Sequence, residues 1–428
     1  MFFKSLRFAT LLGGLASASV ANAQPAPDPA FASLKTCLQS AAAPATNEDF
    51  MKRINPALND PDRVSWCLFL YVSSQAATQG NNNALFETWA SDNETFQPTP
   101  VWPTTPPVMA LRQPILPHLA RAPQPGEVTP FVLPFKSQCN PADPSPCVGE
   151  ETRRNKSTFD FIVNNKLFTR DGLRAYTKTI VFPADSIEVK ANWVPVSQLA
   201  AFLGQSGAPV DPTLYHINTT TENGQTVQYA LLSFHVISKM VPNWTWATFE
   251  HINNPGRCDF IGCTDSFGAT PPVAAPHALN NPGKQYPNCT KTPALTALFA
   301  TFTIDPKFAN YCLKGSQTDF TDANGVPTRV GNSVTEGGFV ATASCISCHG
   351  RSAYSFATGG FTMNRIFIYM GDTPIGNVGP LDPGQFMMFP QQDPVQGANT
   401  PLFKSADFVW SLPLCAIGAA GTSRCANK

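Results

Sequence analysis

Histidine is scarce in this chain, with 6 in 428 residues, and charged side chains make up only 14%. Lys plus Arg number 29, as do Asp plus Glu, and no run of either sign occurs. That balance argues against nucleic acid, or a strongly steered acidic molecule, as a partner, since both need a concentrated field. Beyond the N-terminus no apolar run is long enough to span a bilayer. G-x-S-x-G, H-E-x-x-H, P-loop and dinucleotide fingerprints are all missing, which removes the usual sequence support for hydrolase, zinc-protease and nucleotide chemistry.

What the chain does have begins with a leader. Lys4 and Arg7 supply a basic flank, Phe8 to Val20 a short apolar stretch, and Ala21-Asn22-Ala23 a small-residue cleavage site. This order reads as a secretory signal over residues 1–23, with the mature chain starting at Gln24. The expected location is periplasmic or secreted, with no integral membrane segment after cleavage.

Cys345-Ile346-Ser347-Cys348-His349 is a C-x-x-C-H motif. Two thiols at this spacing match the two vinyl groups of haem, and the adjacent His is placed beneath the iron. The motif implies one covalent haem c, held by Cys345 and Cys348, with His349 as the proximal iron ligand. Arg351 follows directly and Arg365 lies nearby; a guanidinium suits a haem propionate, although an ordinary ion pair is an equal reading.

Ten cysteines remain of the 12. An even remainder in an oxidising compartment reads as up to five disulfides. Sequence neighbours suggest Cys37–Cys67, Cys139–Cys147, Cys258–Cys263, Cys289–Cys312 and Cys415–Cys425. A zinc site is disfavoured because no second C-x-x-C occurs and His is rare.

The expected fold class is α+β, in four regions: signal peptide 1–23, helical segment and Pro-rich strap 24–150, antiparallel β-rich domain 151–290, and a mainly helical haem domain 291–428. Asp60 can cap a helix carrying Val64, Leu68 and Val72, and a second helix runs through Leu85, Phe86 and Trp89. From Pro98 to Pro146 there are 14 prolines, which exclude regular helix or central strand. Ile187, Val189, Ala191 and Trp193 then alternate with Glu188, Lys190 and Asn192, which is the period of a strand. Asn223-Gly224 predicts a hairpin, and Trp244 to His251 a further strand. Ser333-Val334-Thr335-Glu336 is a capping box that predicts a helix running into the motif. Ser405-Ala406-Asp407 is expected to cap a terminal helix through Phe408, Val409 and Trp410.

Val334 to Gly350, with that capped terminal segment, resembles a c-type cytochrome domain, under a fifth of the chain. Ser65-Trp66-Cys67-Leu68-Phe69, Trp244 to His251 and Gly331-Asn332-Ser333 extend the resemblance to large, single-haem bacterial cytochrome c family proteins. The resemblance implies one multi-domain unit and no particular reaction.

The sixth iron ligand divides the functional classes, because carriers close the iron with Met or His and peroxidases keep it open. Met387 and Met388 lie at about the right distance downstream, with Met363 and Met370 as further methionines. His251 and His235 come from the β-rich domain and reach the iron only if that domain packs over it. Lys239 has nothing in the sequence to select it, and Trp244 and Trp246 read as core or as a haem shield. The primary expectation is an exported electron-transfer cytochrome with an unidentified redox partner. The alternatives are a haem oxidoreductase of peroxidase or oxygenase type, acting on a small-molecule substrate between the domains, and a haem-based sensor.

Overall fold

A computed structural model describes residues 29–41, 56–76, 83–109, 111, 148–204, 208–222, 224–269, 286, 289–336, 340, 343–357, 359, 401–423 and 425. The signal segment, Arg365, all four candidate methionines, and Cys139 with Cys147 lie outside them.

A seven-stranded antiparallel sheet organises the described residues. Its strands are β1 (Ala90–Ser91), β2 (Gly149–Arg154), β3 (Ile187–Pro195), β4 (Ile217–Glu222), β5 (Gln225–Ser238), β6 (Thr245–His251) and β7 (Tyr311–Gln317). The order is β1-β2-β3-β5-β6-β7, with β4 paired to the first half of β5. The β4–β5 hairpin closes with Glu222 opposite Gln225, and Gly224 supplies the positive φ of 77° that its turn requires. β7 comes from the region beyond residue 290, so the sheet draws strands from both sides of that point.

One face of the sheet is apolar. Val189, Ala191, Trp193, Phe234, Val236, Ala247 and Phe249 share one hydrophobic core with the helix Pro61–Val72. That helix starts at Asp60, whose carboxylate accepts the Arg63 N–H at 3.2 Å, and the Cys37–Cys67 disulfide ties it to the helix Pro29–Ala41. Trp66 and Phe69 meet Phe249 with ring centroids 5.0 and 4.4 Å apart. Each such aromatic pair adds about 0.5–1.5 kcal/mol beyond the area it buries.

The opposite face carries Glu188, Lys190, Asn192, Ser233, His235, Thr248 and Glu250, as the two-residue period demands. A polar face ordinarily meets water. Here all of these except Lys190 are buried: residues 330–336 bond to Asn192, His235, Thr248 and Glu250, and Arg154 pairs with Glu188.

The expectation of a mainly helical C-terminal domain is overturned. Among the described residues beyond 290, α-helix is confined to Pro293–Phe299, Cys345–His349 and Ser411–Cys415. The same region supplies β7 and a second sheet of β8 (Ala353–Ser355) with β9 (Phe403–Ser405). Among the described residues a β-rich domain dominates the architecture and helices are few and mostly short.

Two local competitions explain the missing helices. Ser333 gives its N–H and hydroxyl to Glu250, at 2.9 and 2.6 Å, and the Glu336 carboxylate accepts the Asn332 N–H at 2.7 Å. The groups that would close a capping box are thus used by the sheet and by a tight turn, and Gly337-Gly338 in the sequence adds about 1 kcal/mol per residue against helix. At the other site, Asp407 and Phe408 adopt φ of 48° and 71°, which no right-handed helix accommodates, so the terminal helix begins only at Ser411. The segment through Leu85, Phe86 and Trp89 likewise forms a single 3-10 turn, Leu85–Thr88, instead of an α-helix.

Candidate functional site

The motif occupies a helix of only five residues, Cys345–His349. The edge of the sheet holds its start. Gln317 on β7 accepts the Ile346 N–H at 3.2 Å and donates to the Ser344 hydroxyl at 3.2 Å, while the Cys345 N–H bonds to the Val330 carbonyl at 3.2 Å. Short as it is, the helix is fixed by β7 and by the strand-like Val330 segment.

Cys345 and Cys348 are the cysteines not in a disulfide among the described residues. Burial raises both thiols, Cys345 well above its ordinary value and Cys348 to about 11. Neither is a thiolate at neutral pH, which counts against a dithiol–disulfide exchange site, since exchange needs a lowered pKa.

His349 Nδ1 lies 2.8 Å from the carbonyl oxygen of Phe408. A carbonyl only accepts, so the proton sits on Nδ1 and the Nε2 lone pair is left free. Burial lowers the imidazole to about 3, with the Phe408 bond opposing, so it is neutral at physiological pH. A neutral imidazole with its second nitrogen anchored on a carbonyl is the form in which His binds a metal. The indole of Trp246 packs beside it, with ring centroids 4.6 Å apart.

The anchoring carbonyl belongs to the left-handed turn at Asp407–Phe408. The Asp407 carboxylate accepts the Phe182 N–H at 2.7 Å and the Lys239 ammonium at 2.6 Å. Lys239 also donates to the Pro242 carbonyl at 2.7 Å. The connection between β5 and β6 therefore grips the turn that positions His349.

Arg351 is buried, and donates from Nη1 to the Ser347 carbonyl. Its Nε has no hydrogen-bond partner and no carboxylate pairs with it among the described residues. A buried guanidinium in that state suits an incoming acidic group.

Of the candidate axial histidines, His235 stands on the polar face directly opposite Lys190, two residues from the partner of Trp246. Its Nε2 lies 3.0 Å from Asn332 Nδ2 and 3.5 Å from Glu336 Oε1. The Asn332 amide is oriented by its oxygen, which accepts from Val334 and Thr335 N–H groups, so its NH2 faces His235. Burial acts to raise Glu336, but His235, Lys190 and the Asn332 N–H outweigh it and hold the carboxyl below its usual range. Lys190, His235 and Glu336 all act electrostatically on His349.

His251 is not brought to the motif. It points to the other side of β6, stacked on Tyr215 at 3.6 Å, with Nε2 on the Leu214 carbonyl and Nδ1 accepting the Asn253 N–H. His216 is likewise engaged elsewhere, between Glu87 at 3.0 Å and Asp305 at 3.3 Å.

Sequence reading missed Asp407, Lys239 and Glu336 as site-building residues, and Phe408 acts through its backbone, which no side-chain pattern reveals. The alternation of Glu188, Lys190 and Asn192 held the available signal, a polar face close to a chemical motif.

Disulfides link Cys37–Cys67, Cys258–Cys263, Cys289–Cys312 and Cys415–Cys425, as sequence spacing suggested. They fit a non-cytosolic protein. Among the described residues no helix is long and apolar enough to cross a membrane. No protein-family model, no curated protein and no solved structure matches the chain.

Proposed function

We propose that this protein is exported to the periplasm or secreted, binds one haem c covalently through Cys345 and Cys348, and transfers electrons. The observation that carries the reading is the His349 Nδ1 bond to the Phe408 carbonyl, which leaves Nε2 as a free donor beside two unpaired thiols. The haem supplies reversible one-electron chemistry, and the chain supplies binding and electrostatics. His349 would offer Nε2 to the metal, Arg351 would meet a propionate, and Trp246 would exclude water from one side of the imidazole. The scaffold in this reading is the β-sheet, not a helical cytochrome domain.

A second reading, haem oxidoreductase, is favoured by one feature. Lys190, His235 and Glu336 give the site a polar, titratable flank, whereas a pure carrier needs only an apolar enclosure. Such a flank can orient a small polar substrate or move its proton.

The test is to express the full chain with a haem-attachment system and extract it with acid-acetone. Retained haem on the denatured wild type, lost in Cys348→Ala, supports attachment; complete extraction from the wild type refutes it. Immediate carbon monoxide binding by the reduced protein would favour the oxidoreductase over the carrier.

A further inference from the structure

We propose that Lys239 and Asp407 are positioning residues for the iron: through the Asp407–Phe408 turn they hold His349 in the metal-binding orientation and set how strongly it donates. The proposal rests on the haem reading for its electronic consequence, and on geometry alone for the positioning.

Three observations support it. First, two successive non-glycine residues, Asp407 and Phe408, sit at φ of 48° and 71°. A bulky residue there costs on the order of 1–3 kcal/mol and persists only where its surroundings impose it. Second, what imposes it is visible: both oxygens of Asp407 are taken, Oδ2 by the Phe182 N–H and Oδ1 by the Lys239 ammonium, and Lys239 is fixed in turn by Pro242. Third, the strained turn delivers one group, the Phe408 carbonyl, to His349 Nδ1. A relaxed turn would carry that carbonyl away.

The chain of cause therefore runs from the end of β5, through a buried ion pair, into a backbone carbonyl and on to the imidazole. Nδ1–H donation to a fixed carbonyl makes Nε2 more basic, which stabilises the oxidised metal relative to the reduced one and lowers the potential. The sheet would thereby set the redox poise of a group attached outside it.

The experiment compares wild type with Asp407→Asn, Lys239→Arg and the double variant Lys239→Met/Asp407→Ala. The double change removes both charges, so no lone buried ion is left to unfold the protein. In haem-loaded protein, covalent attachment should survive in all of them. The reduction potential of Asp407→Asn and of the double variant should rise by about 59 mV, a tenfold change in the reduction equilibrium, at the low end of what outer-shell partners are worth. Lys239→Arg should stay near wild type. Loaded variants whose potentials all equal that of wild type overturn the proposal.

If wild type carries no covalent haem, the haem reading falls by itself and 15N NMR of the His349 imidazole decides the positioning. A wild-type Nδ1–H tautomer that is lost in the double variant upholds it, and an unchanged tautomer in that variant overturns it.

Discussion

The indole of Trp246 on β6 lies against the imidazole of His349, with ring centroids 4.6 Å apart. This contact joins the sheet to the motif, because Trp246 is fully buried and also meets Phe408 at 5.9 Å. The β-rich part and the motif are thus in direct contact.

Removing the indole should do two things at once. Trp246→Ala is expected to cost about 3–5 kcal/mol, the usual range for a buried Trp, and to release one side of the His349 ring. Urea unfolding measures the first effect, and the Soret band of loaded protein the second. A stable variant with an unaltered spectrum would show that the contact is incidental.

His216 provides a pH prediction. Burial alone would lower its imidazole, but Glu87 and Asp305 raise it from 6.5 to about 9. Folded protein therefore holds a proton that unfolded protein releases above 6.5. The stabilisation is full below that value and is lost as pH rises through about 9, amounting to about 3 kcal/mol. Lys291 is lowered to about 7 by burial and contributes the opposite slope. The quantity to measure is thus the stability difference between wild type and His216→Asn across pH 6 to 10. A constant difference would contradict the assignment.

His251 should behave in the opposite sense. Burial lowers it to about 3, so it is neutral in the folded state. Its contribution is present above 6.5 and is lost as pH falls toward 3, when the unfolded chain takes up the proton. A His251→Gln variant should show a shallower loss of stability between pH 6 and 4 than wild type. Parallel profiles would mean that His251 is charged when folded.

Gly331 stands where the 330–336 segment meets the start of the motif. A Cβ there would lie 2.5 Å from the Cβ of Ala343 and 3.3 Å from Glu336 Cγ. Gly331→Ala should destabilise by about 1–3 kcal/mol through overpacking. Adding Ala343→Gly should recover part of that loss, which thermal melts of the two variants and wild type would reveal. No recovery would place the strain elsewhere.

The Cys37–Cys67 bond closes the two N-terminal helices onto each other. Cys37→Ala/Cys67→Ala is expected to cost about 2–5 kcal/mol. In unreduced wild type, alkylation followed by mass spectrometry should leave these two cysteines, and the other six in the described bonds, unlabelled. Labelling of any pair removes that bond from the native protein.

Local chemistry made much of this protein legible in its sequence. The C-x-x-C-H spacing, the Asp60 cap, the turn at Gly224 and the short Cys258–Cys263 and Cys415–Cys425 loops each depend on residues close together in sequence, whose preferences here met no stronger long-range competitor. The alternation in β3 likewise fixed which side chains share a face.

The tertiary structure alone decided where those faces went. Asn192 and His235 look in sequence like part of a solvent-facing strand pattern, yet the chain lays residues 330–336 over them, because Glu250, Asn192 and His235 offer partners that repeatedly satisfy Ser333, Thr335, Asn332 and Glu336. Those long-range bonds outcompete the capping box that favoured a helix at Ser333. In the same way the Lys239–Asp407 pair, joined across 168 positions of sequence, overrides the helical preference of the terminal segment and turns a carbonyl toward His349. Propensities of a few tenths of a kcal/mol per residue yield to buried charge-assisted bonds worth more than that each, so the motif was readable and its cradle was not.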